Sequence, residues 1–69
     1  MPLTMASQGE INSIKSIRGK DETKRFLENL GFVIGSKVTV ISKIGGNMIV
    51  NVKDARVAID KAMASRIIV

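Results

Sequence analysis

Six carboxylates, those of Glu10, Asp21, Glu22, Glu28, Asp54 and Asp60, make up the whole stock of side-chain acids in this chain, which has no histidine and no cysteine. Without imidazole there is no side chain that titrates near neutrality unaided. Without a thiolate there is neither the common nucleophile nor the soft ligand that zinc and iron clusters prefer. The carboxylates could still hold a hard cation if several converged, but most are far apart in sequence. The one adjacent pair, Asp21 and Glu22, reads as the start of a helix, where the dipole favours negative charge. Met1, Met5, Met48 and Met63 are isolated thioethers in apolar surroundings and read as core or terminal residues. Gly31, Gly35, Gly45 and Gly46 do not write a phosphate-binding loop or a dinucleotide fingerprint. These residues predict no enzyme, no catalytic residue, no cofactor and no metal-ligating set.

Eleven Lys and Arg against six Asp and Glu leave a formal charge of +5, which suits a nucleic acid, an anionic membrane surface or an acidic protein. The basic residues are dispersed from Lys15 to Arg66 with no run of like charge. Small basic barrels that bind single strands stack the bases on aromatic side chains. Here Phe26 and Phe32 are the only aromatics, and Phe26 is expected on the inner face of a helix, so nucleic acid is not an expected partner. No window approaches the roughly 18 apolar residues of a membrane helix, and Met1 to Met5 lacks the pattern of a signal peptide. A cytoplasmic location and no membrane insertion are the expectation.

The elements that must position any surface site are short. Ile11, Ile14 and Ile17 fit one bulged strand pointing inward, since Asn12, Ser13 and Ser16 are weak helix formers. Asp21 is expected to cap a helix over about 22–30, with Phe26, Leu27 and Leu30 in one apolar stripe and Gly31 supplying the left-handed residue that ends it. Val38 and Val40 alternate with polar residues, and Ile41 and Ile44 break that alternation as a bending strand does. Gly45-Gly46-Asn47 is a hairpin turn, and Met48, Val50 and Val52 share the inner face of the next strand. Asp54-Ala55 is expected as the second turn, before a strand in which Val57 and Ile59 point inward. Asp60 should cap a helical turn over about 60–64, leading to a last strand over 66–69. The sum is mainly β: a small barrel of about five strands with one inserted helix, in a single domain over 1–69.

The run Arg25-Phe26-Leu27-Glu28-Asn29-Leu30-Gly31-Phe32-Val33-Ile34-Gly35-Ser36-Lys37-Val38, read with Gly45-Gly46 and the closing Arg66-Ile67-Ile68-Val69, resembles the FeoA family along nearly the whole chain. The resemblance implies an SH3-like β-barrel with a helix inserted after the first strand. It also implies a small cytoplasmic accessory of ferrous iron uptake that binds and modulates FeoB, a polytopic transporter with a GTPase domain. Transition-metal binding is a further property the resemblance implies, with ferrous iron, in the absence of His and Cys, expected to be held at most weakly or indirectly. The same barrel occurs as the C-terminal domain of metal-dependent repressors of the diphtheria toxin repressor type, so a stand-alone metal-responsive module is the alternative, and a basic nucleic-acid-binding barrel a more distant one. Arg25, Phe32, Ile34 and Lys37 are the expected partner-binding patch, because the helix end and the following turn present them together. A monomer or weak homo-oligomer is expected.

Overall fold

A computed structural model describes residues 1–69. After a 3-10 turn at Leu3–Met5, the chain forms β1 (Ile11–Ser13), β2 (Ser16–Ile17), α1 (Asp21–Asn29), β3 (Lys37–Ile44), β4 (Asn47–Val52), β5 (Ala55–Asp60), α2 (Lys61–Ala64) and β6 (Ile67–Ile68). The strands lie in a four-stranded sheet of order β1-β3-β4-β5 and a two-stranded sheet of β2 and β6. All pairings between these strands are antiparallel. This is the mainly β barrel expected from the sequence, with six strands rather than about five.

The extra strand comes from the isoleucine segment. Instead of one bulged strand, β1 pairs with β3 and β2 pairs with β6, so the chain passes from one sheet to the other at Ile14 and Lys15. Ile14 sits buried at that crossing and Ile17 packs against the core, whereas Ile11 points to solvent with 66% of its surface exposed. A change of sheet resets the alternation of side chains, which is why three equally spaced isoleucines do not share one environment.

Alternation holds where a strand stays in one sheet without a bulge. Val38 and Val40 on β3 and Met48, Val50 and Val52 on β4 are all buried, in one core cluster with Leu27, Phe32, Ile59 and Ile67. Burying each such side chain contributes about 1.5–3 kcal/mol. The β3–β4 register slips between Val40 and Ser42, the bulge that the break at Ile41 anticipates.

The helix α1 begins one residue earlier than expected. Lys20 is the extended residue at its N-cap, and Asp21, expected as the cap, is the first helical residue. Asp21 and Glu22 fill the first turn, where they favour the positive end of the dipole. Inward it presents Leu27, with Leu30 partly buried; Phe26, expected on this stripe, lies at its margin and is 49% exposed. The helix ends in a Schellman motif. The Gly31 N–H donates to the Glu28 carbonyl at 2.9 Å and the Phe32 N–H to the Leu27 carbonyl at 3.0 Å. Gly31 takes φ 107°, a value that only glycine adopts readily.

Both turns of the β3–β4–β5 meander hold two residues. Gly45-Gly46 joins Ile44 to Asn47, so Asn47 is already the first strand residue. Only Gly45, at φ 57°, lies in the left-handed region there. The second turn is Lys53-Asp54, one residue earlier than expected, and both of its residues have positive φ, 49° and 62°. At α2 the Asp60 carboxylate accepts from the Met63 N–H at 2.8 Å, as its capping role predicts.

Candidate interaction site

All buried residues are hydrophobic, and no polar or charged side chain lies in the core. No group of three or more acidic, His or Cys side chains converges on a point that could hold a metal ion. No helix is long and apolar enough to cross a membrane. What the fold does present is the outer face of the four-stranded sheet. The register sets Ile11 beside Thr39, Thr39 beside Asn51 and Asn51 beside Arg56, one row running across all four strands. A second row begins with Ser13 beside Lys37.

Between these rows lies an open depression of about 380 Å³ lined by Ile11, Ser36, Lys37, Thr39, Asn51, Lys53 and Asp54. Its chemistry is mixed: one exposed aliphatic side chain, hydroxyl and amide groups, two ammonium groups and a single carboxylate. Such a lining suits a peptide surface that brings hydrogen-bonding groups and negative charge to an apolar contact point. The Lys53-Asp54 turn forms one wall. The Lys53 stem also runs back beside the end of α1: a Cβ built on Gly31 would sit 3.8 Å from Lys53 Cδ.

The four residues expected to form the patch are divided by the structure. Lys37 lines the depression. Ile34 is 70% exposed in the turn leading to Ser36 and Lys37, the most exposed of the large hydrophobic residues. Arg25 is exposed on α1 but is not among the lining residues. Phe32 is the correction, for it is completely buried. It follows the glycine of the Schellman motif, the position whose side chain packs back on the last turn of the helix, and it joins Leu27 in the core cluster. Phe32→Ala should therefore lower stability by about 3–5 kcal/mol through a core cavity, measurable as a fall in denaturant midpoint. Ile11, Ser36, Thr39, Asn51, Lys53 and Asp54 also line the depression, and none of them stands out in the sequence as a site residue. The signal available for three of them was cross-strand register, which places alternate residues of β1, β3 and β4 side by side once the two tight turns are located.

A β-barrel of two small antiparallel sheets, with one helix inserted between β2 and β3, defines an SH3-like class of protein. The FeoA domain family matches residues 1–69, and the chain belongs to the FeoA family. It is 34% identical over 68 residues to a protein of Methanocaldococcus jannaschii named Fe(2+) transport protein A, covering 99% of this chain and 83% of that one. Among solved structures it resembles Stenotrophomonas maltophilia FeoA, a prokaryotic SH3 domain protein crystallised with zinc. That likeness has a TM-score of 0.85 and 27% identity, covering 99% of this chain and 87% of the other. A manganese-dependent transcriptional repressor shares the fold alone, at TM-score 0.88 and 18% identity, with 97% of this chain matching 39% of the repressor.

Proposed function

We propose that this chain is a non-enzymatic accessory of ferrous iron uptake that works as a single cytoplasmic unit, docks on FeoB and modulates transport. Family membership along the full 1–69 span carries the reading, and the name of its archaeal relative supports the link to Fe(2+). Iron is the cargo of the transporter in this scheme, not a resident of the barrel, in keeping with the scattered carboxylates. The docking surface is the depression together with the turn before it, with Ile34 as apolar contact and Lys37 and Lys53 as the charges that meet an acidic stretch of the transporter.

The test is binding of the purified chain to detergent-solubilised FeoB of the same organism, at physiological salt, with an unrelated membrane protein as control. Saturable binding to FeoB alone is expected. Ile34→Asp and Lys37→Glu should each weaken it about tenfold or more, as central apolar and charged contacts do, while leaving the melting temperature within the small range of surface substitutions. No saturable binding by the folded wild-type chain would overturn the reading. Arg25→Ala tests whether α1 contributes, since Arg25 is exposed away from the depression.

A further inference from the structure

The four-stranded sheet ends on β5, which pairs with β4 over six residues from Ala55 to Asp60 without a register shift. The other side of β5 is unpaired. A two-residue turn makes its flanking residues, Val52 and Ala55, a hydrogen-bonded pair, so Ala55, Val57 and Ile59 direct their backbone groups toward β4. The Lys61 N–H donating to the Gly46 carbonyl at 2.9 Å continues the same parity. The N–H and C=O groups of Arg56 and Ala58 and the N–H of Asp60 consequently point away from the sheet, while the Asp60 carbonyl, at the N-cap of α2, takes the first bond of that helix.

Edge strands are usually protected by brevity, proline, lysine, a bulge or a covering segment. At the opposite edge β1 has only three residues. β5 has neither proline, lysine nor bulge. Its charges instead make it complementary to itself. Turned antiparallel about Ala58, a second copy sets Arg56 opposite Asp60 and Asp60 opposite Arg56, on the exposed face of both strands. Ala58 meets Ala58 at the axis, where a small side chain avoids a clash. Val57, partly buried, meets Ile59 on the core side. The pairs at 56 with 60 and at 58 with 58 are then the hydrogen-bonded ones, matching the outward parity of the free groups. One Asp60 oxygen is engaged at α2, and the other is available to Arg56 of the second copy.

We propose that β5 is a self-association edge, through which two copies of this chain join by antiparallel β5–β5 pairing centred on Ala58 into one continuous eight-stranded sheet. Opposite charges directly across strands favour this register, and a one-residue slip would lose both ion pairs and set inner faces against outer ones. The dimer is independent of any transporter, because all its contacts come from this chain.

Sedimentation equilibrium of the full chain from micromolar to millimolar concentration tests it, with amide hydrogen exchange followed by NMR on the same samples. A monomer–dimer equilibrium is expected, together with rising protection of the Arg56, Ala58 and Asp60 amides as concentration increases. Arg56→Glu, which places like charges opposite each other twice, should weaken the dimer about tenfold or more. Ala58→Pro removes an outward donor while sparing the ladder to β4, and should abolish the dimer with the far-UV spectrum retained. A wild-type chain that stays monomeric at millimolar concentration overturns the proposal. So does a dimer that survives Arg56→Glu, a variant that keeps the backbone intact, or one that forms without protecting those amides.

Discussion

The two turns of the meander are the same length and stand at opposite ends of β4, yet they meet the demand for a left-handed backbone with different residues. Gly45 takes its positive φ without steric cost, and nothing lies within 4 Å of the place a Cβ would occupy. Lys53 and Asp54 adopt the same region as ordinary L-residues. Lysine has no special tolerance for that conformation, which costs roughly 1–2 kcal/mol per residue, whereas aspartate is among the few side chains that enter it readily. Local strain of this kind is retained where side chains are wanted for another purpose. At the glycine turn no side chain is used; at the other, both line the depression.

The largest test of the contrast is Gly45→Val, which should lower stability by about 1–2 kcal/mol through backbone strain alone, seen as a lower urea midpoint at unchanged m-value. Should the midpoint stay the same, the glycine turn would not depend on its glycine. Lys53→Gly should act in the opposite sense: relief of about 1–2 kcal/mol of strain, less the entropy of a new glycine at about 0.5–1 kcal/mol, leaves a net gain of up to about 1.5 kcal/mol. The same variant should bind FeoB more weakly, so that melting temperature and affinity move apart. A loss of both would mean that Lys53 serves the fold. Asp54→Gly is the smallest case: aspartate already sits there at little cost, so the entropy of the new glycine leaves a loss of a few tenths of a kcal/mol, and differential scanning calorimetry on paired samples would show a slightly lower melting temperature.

Legibility in the sequence followed the regularity of the backbone. The faces of β3 and β4 were readable because Val38, Val40, Met48, Val50 and Val52 keep a period of two within one sheet, and Gly31 and Gly45 marked their turns by chemistry. The isoleucine segment was not readable in the same way, because a spacing of three is shared by a helix, a bulge and a change of sheets. Phe32 follows the helix-ending glycine, a place that suggests surface in the sequence, but it is the position that closes a Schellman motif against Leu27. The second turn falls at Lys53-Asp54, one residue before the expected Asp54-Ala55, since nothing in lysine announces a positive φ. Most of the candidate site was hidden for a related reason: Thr39 and Asn51 become neighbours only through the strand register, which is a property of pairs of strands.

The pairing of β2 with β6 also bears on the order in which the chain can fold. The β3–β4–β5 meander joins neighbours in sequence, whereas Ser16 meets Ile68 and Pro2 forms a bridge to Ile68 across nearly the whole chain. Local hairpins close with little loss of loop entropy, and distant pairings must wait for them. The meander can therefore assemble before the two ends of the barrel are joined. The seam between β2 and β6 closes the longest loop between any two paired strands, so the final cooperative step belongs to the docking of Ile67 and Ile68 against Ser16 and Ile17.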